Sequence, residues 1–303
     1  MINPFVAWVA ARPLIFWPGA LGTELQRRGF ATRLPLWSAA ANLDDPALVQ
    51  QIYADYLIAG ADVLITNSFR TIPRTYEKIG QPELAQEATV ASVVLARAAQ
   101  AVVQRTTWVG GSLAPLEDCY EPSLVPDSQS LALEHCKQAK ILADAGCDFM
   151  MIETINCVRE AVATTQATVA TNLPFFISFV VNADGNLLSG ETLEEAVLAT
   201  EHPNRLGVLL NCRPFTDMAV GLEKLAAIDV HGRKGFYANG AGKPADDLGW
   251  TFDCNNLADE DYVGQARHWH GRGFDLIGGC CGTTPSTIAK LCQKLKADSV
   301  GEE

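Results

Sequence analysis

The chain has 303 residues, of which 23 are basic and 35 are acidic, so its formal net charge is −12. Such an acidic chain lacks the basic face that binds phosphate backbones, and we expect no nucleic-acid partner. No apolar run reaches the roughly twenty residues that a transmembrane helix needs, so we also expect no membrane partner.

The nine cysteines are an odd number in a chain too large to need disulfide staples. This favours reduced thiols and a cytoplasmic location. The apolar run at residues 5–11 lacks the basic start of a signal peptide. Nothing in the sequence indicates an oligomeric state.

Short apolar runs alternate with helical patterns along the whole chain. Strands are predicted at residues 14–17, 62–66, 107–110, 148–152, 175–180, 206–210, 235–238 and 274–277. Helices are predicted at residues 24–28, 47–59, 82–104, 130–145, 158–171, 192–201, 259–271 and 285–296, with another ending near residue 228. Continuous apolar strands separated by helices indicate a parallel sheet buried on both faces. Eight such units predict an α/β fold, a single-domain (β/α)8 TIM barrel over residues 1–303.

The carboxyl ends of barrel strands meet on one face, which is where active sites of this fold lie. The sequence places several polar or glycine-flanked residues at those ends. They are Pro18, Gly19, Ala20, Asn67, Ser68, Phe69, Gly111, Ser112, Glu153, Cys212, Asn239, Cys280 and Cys281. The long segment at residues 113–127 comes directly after one of these ends, and loops of this kind often carry function.

Three cysteines at two of these strand ends, Cys212, Cys280 and Cys281, form a candidate metal site. Adjacent cysteines are poor disulfide partners, and the glycines around them allow both side chains to turn toward one ion. Three thiolates with an open fourth position suit Zn²⁺ and a substrate that is itself a thiol, because coordination deprotonates a thiol. Buried apolar cysteines and a closed structural zinc site are the alternatives, although no paired CxxC motif supports the second.

The other cysteines are expected to be structural. They are Cys119, Cys136, Cys147, Cys157, Cys254 and Cys292.

In these and neighbouring residues, the sequence resembles the homocysteine S-methyltransferase family of zinc-dependent barrels. The resemblance is carried by residues 19–25, 36–38, 59–62, 66–69, 111–112, 153–154, 211–212 and 278–285. It implies that Cys212, Cys280 and Cys281 bind Zn²⁺, and that homocysteine sulfur takes the fourth position and receives a methyl group, giving methionine.

The resemblance also implies substrate contacts. Glu153 would hold the substrate amino group, with a helix-start carboxylate as its alternative role. Asn239 would lie against the metal when substrate is absent, or else cap backbone at a strand end. Gly19, Ala20 and Asn67 complete the predicted substrate-binding set.

One position departs from the family pattern, in which an aspartate precedes the Gly19-Ala20 pair and also contacts the amino group. Here Pro18 offers neither charge nor side-chain acceptor. Losing one hydrogen bond to a charged group weakens binding by about 1.5–3 kcal/mol. Either Glu153 holds the amino group alone, or the thiol is not homocysteine.

The methyl donor is predicted from the resemblance to one branch of the family. Members that use methylfolate or betaine carry further domains or a longer carboxyl-terminal extension, whereas this chain resembles members that use a sulfonium, S-methylmethionine or S-adenosylmethionine. A sulfonium needs no acid to leave, and no general acid is evident. A methyltransferase for a different thiol and a non-catalytic zinc- or thiol-binding barrel with a regulatory role remain as alternatives.

Overall fold

The computed structural model describes residues 3–240, 242–245, 249–251 and 259–300. Its eight strands form one sheet in the order β1-β8-β7-β6-β5-β4-β3-β2, and every neighbouring pair is parallel. The strands are β1 Ile15–Phe16, β2 Val63–Ile65, β3 Trp108–Leu113, β4 Phe149–Ile155, β5 Phe175–Phe179, β6 Arg205–Asn211, β7 Arg233–Ala238 and β8 Leu276–Gly279. The predicted (β/α)8 barrel is confirmed.

Helices surround this sheet. Within the described residues they are α1 Pro4–Ala10, α2 Leu21–Arg27, α3 Ala41–Asp44, α4 Pro46–Ala59, α5 Pro73–Glu77, α6 Leu84–Ala99, α7 Ser128–Asp144, α8 Val158–Val169, α9 Leu193–Ala199, α10 Phe215–Ala227, α11 Asp259–His270 and α12 Pro285–Val300. In this part of the chain, no helix combines the length and apolar character needed to cross a bilayer.

Local sequence signals set several of these boundaries. Thr192 and Glu195 form the expected capping box at the start of α9. The Asp45 side chain accepts a hydrogen bond from the Leu48 amide and so caps α4. Gly60 ends the same helix at φ 111°, a left-handed conformation that glycine adopts without strain.

The barrel is nearly closed, because β1 is short and makes no ladder with β2 in the described chain. The two strands meet instead through Asp62. Its amide donates to the Phe16 carbonyl at 2.8 Å, and its carboxylate accepts from the Phe16 amide at 2.9 Å. Pro18 comes two residues later and has no amide hydrogen to extend the strand.

The amino-terminal end of the barrel is filled by α1, which the sequence analysis treated only as an apolar run. Phe5 and Val9 are buried and join the side chains of the barrel interior. The Phe5 ring stacks on that of Phe149 with centroids 4.5 Å apart. The opposite, carboxyl-terminal face is therefore the open one.

β3 and β4 each run three residues further than predicted, and this extension positions functional side chains. β3 continues through Ser112 to Leu113, and β4 continues through Glu153 to Ile155. The register of β4 against β5 shifts between Ile152 and Ile155, next to Thr154 at φ 63°. Bulges of this kind redirect side chains near active sites.

Candidate active site and metal centre

The three cysteines predicted to bind metal come together at the carboxyl-terminal face. Cys212 lies directly after β6, and Cys280 and Cys281 lie directly after β8. Their sulfur atoms all lie within 4.8 Å of one another. Cys212 has a φ of 59°, a left-handed conformation that costs a non-glycine residue about 1–3 kcal/mol. The surrounding backbone holds it there, since its amide donates to the Tyr237 carbonyl at 3.3 Å.

The thiols form one electrostatic unit. Hydrogen bonds from Cys280 and Cys281 hold the pKa of Cys212 well below its ordinary value. The same bonds raise the pKa of the two donor thiols. The cluster is thus arranged to carry negative charge on converging sulfur atoms, and this donor set suits a soft divalent cation such as Zn²⁺.

Asn239 lies next to the segments that carry these cysteines. It lies directly after β7, is buried, and its Oδ1 has no hydrogen-bond partner among the described residues. Its amide donates to the Arg213 carbonyl at 2.9 Å, and the next amide, of Gly240, donates to the Cys281 carbonyl at 2.7 Å. An unsatisfied buried acceptor between the two cysteine-bearing segments fits a nearby cation, because burying it unpaired is costly.

Tyr120 is a contact to the cluster that the sequence analysis did not identify. Its hydroxyl lies 3.0 Å from both the Cys212 sulfur and the Cys212 carbonyl oxygen. It comes from the long segment at residues 113–127, which was noted as a possible functional loop. The neighbouring Cys119, expected to be structural, also lines the cavity into which the cluster opens. Cys254 lies outside the described residues.

The thiols open into a cavity of about 460 Å³. Trp37, Tyr120 and Trp250 pack with the three cysteines in one cluster. Trp37 comes from the segment between α2 and α3, and Trp250 from the strand-like pairing of Lys243 with Thr251. Aromatic residues from three separate loops therefore pack with the cysteines.

Glu153 provides the cavity with a carboxylate. The Ser112 hydroxyl donates to its Oε1, and the Tyr237 hydroxyl donates to its Oε2 at 3.4 Å. Burial raises its pKa from 4.5 to about 7, although the bonds from Ser112 and Tyr237 act in the opposite direction. A carboxylate that lacks a cationic partner in such a place is poised to bind one.

The segment directly after β1 carries Gly19 and Ala20, two of the predicted substrate contacts. Pro18, Gly19 and Ala20 line the cavity. A Cβ atom on Gly19 would lie 2.7 Å from the Tyr56 ring and 2.8 Å from the Thr283 hydroxyl, so only glycine allows this close approach.

Asn67 also lines the cavity, but its side chain is committed to the protein. Its amide nitrogen donates to the Ser38 carbonyl at 2.7 Å and to Asn42 Oδ1 at 2.9 Å. Its oxygen accepts from the Ser38 hydroxyl at 2.7 Å. These bonds hold the segment that carries Trp37, and a substrate contact by Asn67 stays a prediction.

The chain is similar to known methyltransferases over most of its length. The homocysteine S-methyltransferase family model matches residues 16–295. A selenocysteine methyltransferase from Astragalus bisulcatus is 31% identical, with 92% of this chain and 91% of that protein covered. A homocysteine S-methyltransferase from Escherichia coli is 29% identical, with 95% and 97% covered.

A solved structure gives the same result. The metallated form of the homocysteine methyltransferase MmuM from Escherichia coli superposes with a TM-score of 0.81 at 27% identity, covering 96% of this chain and all of that one. The family match thus runs from the end of β1 into α12. The chain belongs to the homocysteine S-methyltransferase family of enzymes.

Proposed function

We propose that this protein is a zinc-dependent S-methyltransferase that moves a methyl group from a sulfonium donor to homocysteine, giving methionine. The observation that carries the proposal is the convergence of three cysteine sulfur atoms within 4.8 Å at the open face of the barrel. The cavity beside them also holds the Glu153 carboxylate.

Cys212, Cys280 and Cys281 would hold the zinc ion, and Asn239 Oδ1, which has no hydrogen-bond partner among the described residues, would approach it when substrate is absent. Zinc bound by these thiolates supplies the positive charge that keeps an incoming thiol deprotonated and nucleophilic at neutral pH. When Cys212 is a thiolate, the Tyr120 hydroxyl 3.0 Å away donates a hydrogen bond to it, which reduces the charge on that sulfur and fixes its orientation.

Glu153 would bind the homocysteine ammonium group. Ser112 and Tyr237 fix the carboxylate from two sides, so its position is set before substrate arrives. The ammonium supplies the counter-charge that the buried carboxylate lacks, and this favours an acceptor with a free amino group.

The aromatic residues that pack with the cysteines favour a cationic donor. Trp37, Tyr120 and Trp250 pack around the sulfur atoms, and aromatic faces attract organic cations. In the transfer, the homocysteine sulfur forms a bond to the donor methyl carbon. The bond from that carbon to the donor sulfur breaks, its electron pair stays on that sulfur, and a neutral thioether leaves. S-Methylmethionine and S-adenosylmethionine both meet these requirements.

A different acceptor is the second candidate, and Pro18 is the residue that favours it. Pro18 lines the cavity without offering a charge, and one relative is named a selenocysteine methyltransferase. A selenol or another thiol would use the same cysteine cluster.

Metal analysis combined with one turnover assay tests the proposal. We expect about one zinc per chain and methionine formation from homocysteine and S-methylmethionine. Cys281→Ser should lower both, whereas Cys136→Ser, at an exposed free thiol on α7, should change neither. Full zinc occupancy in a Cys280→Ala, Cys281→Ala double variant would refute the metal assignment. Zinc binding without turnover on any thiol would instead support the non-catalytic alternative.

A further inference from the structure

Glu160 and His135 form a buried polar pair between α8 and α7. They are 0% and 1% exposed, and His135 Nε2 lies 3.0 Å from Glu160 Oε1. Both lie outside the set of described residues that line the cavity, so neither is placed to touch a substrate. Burying a carboxylate is costly even when it is paired, and apolar side chains in place of such a pair are often as stable or more so. Stability alone therefore does not account for the pair.

The same carboxylate oxygen holds the loop that carries Tyr120. This Tyr120 loop is the segment at residues 114–127, between β3 and α7. Glu160 Oε1 accepts a hydrogen bond from the Leu116 amide at 2.9 Å. The Leu116 side chain packs in a buried apolar cluster that also contains Val125, near the other end of the loop. The loop is thus fixed near its start by a buried charged acceptor, which binds an amide more strongly than a neutral one does.

Asn156 fixes the middle of the loop. It directly follows β4 and is fully buried. Its side-chain amide donates to the Cys119 carbonyl at 3.2 Å and to the Asp118 carbonyl at 3.4 Å. These are the two residues immediately before Tyr120. The Asp118 carboxylate in turn accepts a hydrogen bond from the Tyr120 amide at 2.8 Å, so the backbone is held as far as Tyr120 itself.

Tyr120 carries these constraints to the cysteine cluster. Its hydroxyl lies 3.0 Å from the Cys212 sulfur, and the guanidinium carbon of Arg213 lies 5.8 Å from the centroid of its ring. The backbone at Tyr120 is a turn that belongs to neither a helix nor a strand. Contacts from α8 and from the end of β4 therefore set where the hydroxyl lies.

We propose that Glu160 and Asn156 are positioning residues of the metal centre. They act on Cys212 by holding Tyr120 in place, and His135 fixes the carboxylate of Glu160. Hydrogen-bond partners of metal ligands typically alter metal affinity 10–100-fold when they are replaced. This inference rests on the proposed function, because it takes the cysteine cluster to be the zinc site.

A double-mutant cycle with Tyr120 tests the inference. Zinc affinity of the full-length protein is measured by chelator competition for the wild type, Glu160→Leu, Tyr120→Phe and the combined variant. Glu160→Leu should change the affinity about tenfold or more in the wild-type background. In the Tyr120→Phe background the same substitution should change it less than about threefold, because the hydrogen bond that the loop positions is already missing. A purely structural role would give equal changes in both backgrounds.

Two further variants make the cycle specific. Glu160→Gln keeps an acceptor oxygen for the Leu116 amide, so its zinc affinity should stay within about threefold of the wild type. Asn156→Leu removes a separate contact to the loop. It should reproduce the dependence on Tyr120, which provides an independent test if Glu160→Leu does not fold.

Hydrogen exchange in the metal-free protein gives a measurement that does not involve zinc. Amides of the Tyr120 loop should exchange at least about tenfold faster in Glu160→Leu than in the wild type, because the loop opens more often. Amides of β6, Arg205–Asn211, should keep their wild-type rates, which also shows that the variant is folded.

Asp148→Leu is the matched control. The Asp148 carboxylate also accepts one backbone amide, that of Val109 at 2.8 Å, and also pairs with a cation, Arg97 at 2.8 Å. It lies at the opposite, amino-terminal end of β4, so its loss should change neither zinc affinity nor exchange in the Tyr120 loop. Equal changes in zinc affinity with and without the Tyr120 hydroxyl, or unchanged exchange in the loop, would overturn the inference. Failure of methyl transfer with this coupling intact would count against the proposed function alone.

Discussion

Replacing Glu153 by glutamine is expected to stabilise the free protein while damaging substrate binding. The carboxyl group lies at the end of β4, where burial raises its pKa from 4.5 to about 7. Two hydroxyl groups solvate it, but no cation in the described residues pairs with it. At pH 8 the free protein therefore holds an ionised carboxylate at a cost that glutamine does not carry.

The size of the effect is set by proton linkage. Between pH 4.5 and about 7 the folded protein binds more protons at Glu153 than the unfolded chain does. The free energy of unfolding therefore falls as pH rises through this window. A shift of this size corresponds to about 3 kcal/mol. Because the side chain is partly open to the cavity, we expect Glu153→Gln to gain about 2 kcal/mol at pH 8 and to match the wild type near pH 4.

Urea unfolding of the metal-free, reduced protein at several pH values measures this difference. The negative charge of Cys212 also raises the pKa of Glu153, so repulsion by that sulfur is part of the cost that glutamine removes. Glu87→Gln is the matched control, because Glu87 is exposed on α6 and its replacement should change the unfolding free energy by less than about 0.5 kcal/mol.

The same variant should bind homocysteine poorly, since a neutral amide cannot pair with the ammonium group. For the wild type, the KM for homocysteine should rise as pH falls through about 7, where the Glu153 carboxylate becomes protonated. A Glu153→Gln protein that is less stable at pH 8, or a stability difference that does not vary with pH, would refute the reasoning.

Three other outcomes are expected. Pro18→Asp should lower the KM for homocysteine about tenfold or more, because it restores one hydrogen bond to a charged group. The KM for the donor should not change. Unchanged homocysteine kinetics would instead assign the ammonium group to Glu153 alone. Tyr120→Phe removes the hydrogen bond to Cys212, so zinc affinity in a chelator competition should shift about 10–100-fold; an unaltered affinity would contradict that role. Phe5→Ala should reduce the free energy of unfolding by about 3–5 kcal/mol with little effect on zinc content. A loss below about 1 kcal/mol would contradict the conclusion that α1 fills the amino-terminal end of the barrel.

The sequence alone determined the barrel and the cysteine site, because both depend on local patterns. Apolar runs of strand length alternate with amphipathic helical segments, and only a parallel sheet covered on both faces buries such runs. The strand assignment then determines which end of the barrel carries the site, since parallel strands present their carboxyl ends on one side. Cys212, Cys280 and Glu153 are therefore brought together by chain order and strand direction.

Only the tertiary structure decided which loop residues reach the cavity. Tyr120, Arg70 and Trp250 lie on loops whose paths are set by contacts distant in sequence, such as the hydrogen bond from the Leu116 amide to the buried Glu160. No periodicity encodes those paths. For the same reason the sequence did not show that the Asn67 side chain makes hydrogen bonds to residues 25 and 29 positions earlier. A strand end fixes where a side chain starts, and the surrounding loops determine what it binds.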